Sequence, residues 1–115
     1  MNSVSLGGLL LAVALTTGGI ASAQDRSLVD RGAKVYAEQK CSVCHSIGGR
    51  GNARGPLDGV GARLTVDDVQ AWIVTPADMA LKLKAERKPA MRAFPNLSKD
   101  DLRAIVAYML SLTNK

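Results

Sequence analysis

Apolar positions recur along this chain at helical spacing, and nothing in it alternates as strands do. The first segment stands apart: Leu6 to Ile20 is an uncharged apolar run closed by Ala21-Ser22-Ala23. Beyond it, Leu28, Val35 and Tyr36 share one face and predict a helix from Ser27 to about Gln39. Ser27-Leu28-Val29-Asp30 resembles a capping box with Asp in place of the usual Glu. Leu64-Thr65-Val66-Asp67-Asp68-Val69 is a second start, with Thr65 as cap, Asp68 three residues on, and Leu64 stapled to Val69. Val69, Trp72 and Ile73 fall on one face of that helix. Thr75-Pro76-Ala77-Asp78 restarts a helix, with proline at the first helical position, where its missing N–H costs nothing. Met79 and Leu83 share a face there. Leu97-Ser98-Lys99-Asp100-Asp101-Leu102 repeats the staple and cap. Leu102, Ile105, Val106, Met109 and Leu112 then form the buried stripe of a last helix ending near Leu112.

Two glycine-bearing stretches interrupt this pattern. Gly32 lies inside the first helix, at a cost of ~1 kcal/mol against alanine. It marks either a close approach of another backbone or a tolerated surface position. Ser46 to Gly55 is a glycine-rich loop closed by Pro56 and continued by Gly59-Val60-Gly61-Ala62-Arg63. No Gly-Lys-Ser/Thr occurs in it, so a phosphate-cradling loop is not supported.

The chemistry concentrates in Cys41-Ser42-Val43-Cys44-His45, which holds the only cysteines and the only histidine of 115 residues. A Cys-x-x-Cys-His pentad reads as a c-type haem attachment site. Two thiols three residues apart sit on one face of a helical turn, so both reach the vinyl groups of one haem edge as thioethers. The histidine that follows is placed to ligate the iron as the proximal ligand. A zinc site asks for about four ligands, and here there is one cysteine pair and one histidine. A thioredoxin-like redox pair asks for a βαβ setting. A disulfide between Cys41 and Cys44 closes too small a loop to stabilise much.

Composition must be read without the leading segment. The chain has a formal net charge of +5 and is 47% hydrophobic, but these figures include the apolar run. That run and its A-x-A site predict a signal peptide over residues 1–23, with mature protein from Gln24 and a single domain over 24–115. Its first residues carry no Lys or Arg, and Val4 to Ala23 nearly reaches the ~20 residues of a spanning helix, so an uncleaved membrane anchor is the alternative. Polar Thr16-Thr17-Gly18-Gly19 within the run favours cleavage. Roughly 90 remaining residues are near the size at which one core is marginal. Aromatics are 3% of the chain, and a buried porphyrin would supply the missing apolar bulk, so the apo chain is expected to fold poorly.

The ordered set of motifs resembles the class I monohaem cytochromes c of mitochondrial and bacterial type. The pentad lies early, Gly55-Pro56-Leu57 follows it, and Met91 precedes a C-terminal helix. The resemblance runs from Ser27 to Thr113 and implies an all-α fold of about four helices wrapped around one haem c, covalently held through Cys41 and Cys44. It implies that the first and last helices cross over Gly32, with Tyr36 and Tyr108 as the aromatics of that crossing. It gives the carbonyl of Pro56 the role of accepting from the proximal His45. Trp72 is either core or a donor to a haem propionate, and Arg63 either pairs with a propionate or is a solvated surface residue. Attachment of haem in bacteria is expected outside the cytoplasmic membrane, which agrees with a periplasmic location.

With one histidine, a second axial ligand must be something else, and methionine is the obvious candidate. Met109 lies on a regular apolar stripe and Met79 on a short helix, whereas Met91 sits in an irregular stretch between Pro89 and Pro95. The resemblance also places the ligand loop just before the last helix. Met91 is therefore the expected iron ligand beside His45, with Met79 or an open sixth position as alternatives. Arg92 follows it where the family usually has proline.

Lys82, Lys84, Arg87, Lys88 and Arg92 concentrate positive charge around Met91. They read as a solvated face or as a docking surface for an acidic redox partner. Nucleic acid is not expected, because no aromatics interleave the charge. The expected function is one-electron carriage between periplasmic or membrane redox complexes, without enzymatic activity. A permanent subunit of a dehydrogenase or oxidase, and a ligand-binding haem protein with a labile sixth site, are the alternatives. Contact with the membrane would come through partners, unless the first segment is an anchor.

Overall fold

The computed structural model describes residues 3, 5, 7–13 and 18–114, with side chains of the first helix described from Asp25 onward. Helix α1 spans Gly18–Glu38, α2 Val66–Val74, α3 Pro76–Leu83 and α4 Lys99–Ser111. Single 3₁₀ turns at Cys41–Val43 and Val60–Ala62 and a minimal antiparallel pair, β1 Ser46–Ile47 with β2 Arg50–Gly51, complete the regular structure.

The caps of the later helices form as their sequence requires. Thr65 Oγ1 accepts from the Asp68 amide at 3.2 Å, and the Asp68 carboxylate accepts from the Thr65 amide at 3.1 Å. These bonds hold the Asp68 carboxyl below the usual carboxylate range, with nearby Lys82 as a lesser cause. Ser98 accepts from the Asp101 amide at 3.1 Å and opens α4. Pro76 is the first residue of α3.

The first helix differs from expectation. It runs from Gly18 through the expected cap Ser27, which lies inside it. The preceding Ile20 to Gln24 contains no proline and only helix-compatible residues, so nothing stops the helix there. Residues 1, 2, 4, 6 and 14–17 of the expected leader lie outside the described residues, as do the side chains of residues 18–24. No helix among the described residues is long and apolar enough to cross a membrane.

The core forms where α1 and α4 cross. Val35, Val60, Val69, Ile73, Ile105, Val106 and Met109 are buried together. The crossing is close because Gly32 has no side chain: a Cβ there would strike the carbonyl of Ala104 and come within 2.6 Å of the Tyr108 Cβ. Ala104 is itself fully buried at 0% exposure, a small residue opposite a missing one. Tyr36 and Tyr108 meet edge to face, with ring centroids 5.7 Å apart and planes at 74°. Arg31 bonds Asp101 at 2.8 Å across the same pair of helices. The expected loop after the pentad is instead a tight hairpin. Gly48 and Gly49 both take positive φ (58° and 79°), as a two-residue turn of the primed type needs.

Gly32→Ala should cost about 1–3 kcal/mol, since the added methyl meets backbone rather than a movable side chain. Denaturant unfolding measures this, and an unchanged midpoint would show that the helices separate without penalty.

Candidate haem-attachment site

Helix α1 delivers the chain to the pentad. After Glu38 the backbone turns through Lys40, which holds a left-handed conformation (φ 57°, ψ 38°), into the 3₁₀ turn Cys41–Val43. Cys41 opens that turn and Cys44 caps it, with φ −113° and ψ −17°. The amides of Cys44 and His45 both bond the Cys41 carbonyl, at 3.1 and 2.9 Å. Both cysteines are free thiols of intermediate burial. Burial pushes the Cys41 thiol up, and the guanidinium of Arg92 pulls it the other way.

His45 is oriented by one contact. Its Nδ1 lies 3.1 Å from the Gly55 carbonyl. A carbonyl can only accept, so Nδ1 carries the hydrogen and the neutral ring keeps its lone pair on Nε2. Burial holds the ring below its usual pKa, the Gly55 bond opposes this, and Arg87 adds to it. The sequence expectation named Pro56, and the structure moves the acceptor back by one residue. Ser46 donates to Gly55 O at 3.0 Å and accepts from the Leu57 amide at 2.8 Å, forming a parallel bridge around Pro56. That pattern turns the Gly55 carbonyl toward the pentad, where it takes both the Ser46 amide and the His45 ring.

The remaining expected residues are distributed unevenly. Met91 is half-buried against the core, in the stretch without regular structure between α3 and α4. Met79 and Met109 are buried in α3 and α4 at 7% and 6% exposure, as packing residues are. Trp72 is half-buried on α2, while its neighbours Val69 and Ile73 are buried. Arg63 is exposed and donates to the Asp58 carbonyl at 3.3 Å, within its own turn.

Two bonds were not legible in the sequence. Arg87 donates to the Cys44 carbonyl, at 2.5 Å, and Arg92 to the Gln39 carbonyl, at 3.2 Å. Both acceptors are main-chain atoms, so no side-chain pairing signals them.

A cytochrome c family model matches residues 29–113. The chain belongs to the cytochrome c family. It is also 30% identical, over 95 residues, to a cytochrome c oxidase subunit 2 of Alkalihalophilus pseudofirmus. That match covers 75% of this chain and 26% of the relative, so the chain spans about a quarter of the relative's length. No solved structure matches.

Membership of the family implies a covalent haem c, and the residues present fit one. The two thiols are free at either end of the 3₁₀ turn, and His45 has Nδ1 engaged by Gly55 O. Leu57, Leu64, Met91, Phe94 and Leu97 pack on the core but stay partly exposed, which leaves apolar surface that a porphyrin could cover. The buried Tyr36 hydroxyl has no hydrogen-bond partner, and burial, then Cys41 nearby, pushes its pKa up to about 12.

Changing Cys41 and Cys44 together to alanine should leave no haem on the protein after acid–acetone extraction. Haem surviving that treatment would refute thioether attachment at the pentad.

Proposed function

We propose that this cytochrome c-family protein is a one-electron carrier whose iron is held between His45 and Met91. The observation that supports the ligand set best is the placing of the methionines. Met79 and Met109 are buried in helices, whereas Met91 alone of the three is half-buried in irregular backbone, packed on the same core as Cys41. The haem, when bound, supplies an Fe(II)/Fe(III) couple that a Met/His ligand pair sets to a raised potential. The chain's own residues fix the rest. His45 is oriented by Gly55, so its Nε2 needs little rearrangement in either oxidation state. Partly exposed apolar residues on the core would shield a bound haem from water, which would disfavour the ferric charge. On this reading the protein carries electrons and has no enzymatic turnover of its own.

Export to the periplasm follows from the apolar run and Ala21-Ser22-Ala23, with cleavage after Ala23 and a domain over 24–115. Partners are redox proteins with acidic docking surfaces. Lys82, Lys84 and Lys88 are exposed in a stretch, 81–90, where every residue is exposed, and Leu81 and Leu83 beside them are 80% and 54% exposed. A mixed basic and apolar surface of this kind suits a short-lived encounter steered by charge. The second reading is a cytochrome unit fixed in an oxidase, favoured by the match to an oxidase subunit 2. Purification distinguishes the two: a carrier leaves the membrane fraction without its partners, and a fixed subunit does not.

Met91→Ala should abolish the weak far-red absorption expected of sulfur bound to ferric haem, open the iron to carbon monoxide and lower the potential. Met79→Ala should leave all three properties nearly unchanged and cost ~2 kcal/mol or more of stability. The reverse pattern would make Met79 the ligand. Neither variant having an effect would leave the sixth position open and turn the reading to ligand binding.

Lys84→Glu with Lys88→Glu should slow electron exchange with an acidic partner about tenfold or more at low salt. The loss should shrink as ionic strength rises. Equal rates across that range would mean the lysines are only solvated.

A further inference from the structure

Residues 84–98 join α3 to α4 without regular structure, and all of 84–90 is exposed. A segment of that length loses substantial conformational entropy when it is fixed. Few bonds fix it. The Ala85 amide bonds Ala80 O at 2.9 Å, which only ends α3, and the Phe94 amide bonds Ile73 O at 2.9 Å. The other two anchors are arginine side chains on either side of Met91. Arg87, four residues before it, donates through Nη2 to the carbonyl of Cys44. Its Nη1 and Cζ lie over the Cα of Gly55, where any Cβ would strike them. Arg92, the residue after Met91, donates through Nη2 to the carbonyl of Gln39, 3.2 Å away, and lays its guanidinium over Phe94 at 4.8 Å. One acceptor, Gln39, lies just after α1 and before the pentad, and the other, Cys44, lies within it.

We propose that Arg87 and Arg92 are positioning residues that strap the Met91 segment to the carbonyls of Cys44 and Gln39, so that retention of the sixth ligand depends on both. This rests on the reading of Met91 as that ligand. The geometry requires arginine. A planar guanidinium bonds a carbonyl through one nitrogen while its face or second nitrogen covers Gly55 or Phe94, and an ammonium cannot do both. Bonding to carbonyls rather than carboxylates also leaves both charges uncompensated beside the site.

The test uses ferric holoprotein and added imidazole, which competes with a loop-borne ligand for the iron. Arg87→Met and Arg92→Met should each raise apparent imidazole affinity about five- to tenfold, the loss of roughly one charge-assisted bond at an exposed site. The double variant should raise it further, and the far-red band should weaken in proportion. Arg87→Lys and Arg92→Lys, which keep the charge and are the milder changes should a methionine variant not fold, should show most of the same effect. Lys88→Met, on the same segment, should change nothing. Unaltered imidazole affinity in the arginine variants, with a normal far-red band in the wild type, would overturn the strap and leave Met91 as ligand. A wild type that lacks the band and binds imidazole as tightly as Met91→Ala would overturn the ligand reading and the strap with it. If the lysine variants match wild type while the methionine variants differ, charge alone acts and the strap is likewise overturned.

Discussion

A neutral imidazole has one nitrogen that donates and one that accepts, and a carbonyl oxygen can only accept. The 3.1 Å contact of His45 Nδ1 with Gly55 O therefore settles the tautomer and the ring plane together. The rest of the local architecture serves that contact. Gly55 O must face the pentad, which the bridge around Pro56 achieves through the Ser46 and Leu57 amides. Gly55 must lack a side chain, because the Cys44 carbonyl and the Arg87 guanidinium occupy the place of a Cβ. The hairpin closes the same unit from the other side, with the Asn52 amide bonding the carbonyls of Ser42 and His45 at 3.1 and 3.0 Å. A ring held this way cannot rotate freely, and on the proposed ligation it would need little rearrangement between oxidation states.

The helices position this unit from a distance. The crossing at Gly32 and Ala104 sets where α1 lies, and α1 ends two residues before the turn that carries Cys41. At the other end of the core, the Gly61 amide bonds Leu112 O at 2.9 Å, and a Cβ on Gly61 would meet the Leu110 carbonyl. The loop after the pentad is thus pinned beneath the C-terminus of α4. Both approaches of the chain to His45 are fixed against the same helix. Loss of close contact at Gly32 would consequently be felt at the pentad through α1.

Much of this was legible in the sequence, where local chemistry decides structure. Thr65 with Asp68, Ser98, and Pro76 are each read from three or four residues, and their helices start where those residues place them. The pentad was legible for the same reason, whereas Gly32 alone left a close approach and a surface position open, and the helix crossing came from the family resemblance. What was not legible depends on partners distant in sequence. The choice between the Gly55 and Pro56 carbonyls rests on the bridge to Ser46. The anchors from Arg87 and Arg92 end on main-chain oxygens 43 and 53 residues away. The hairpin was hidden because Gly48-Gly49 reads equally as a flexible loop, and strands of two residues carry no alternation. The early start of α1 was missed because Ser27 resembles a cap, and a capping residue inside a helix looks the same in sequence.

The basic run from Lys82 to Arg92 shows how one sequence feature divides into two physical roles. In sequence its five members are equivalent positive charges. In the structure both arginines bond carbonyls of the pentad region, while Lys82, Lys84 and Lys88 are exposed, with Lys82 near Asp68. A salt bridge would have held the segment too, but at the cost of neutralising it. Among the described residues the ion pair is Arg31 with Asp101, joining α1 to α4, and none falls in the basic run. Carbonyl acceptors hold an arginine in place and leave its full charge acting outward. The segment can therefore be anchored to the pentad region and still keep its positive field, two properties that carboxylate pairing would set against each other.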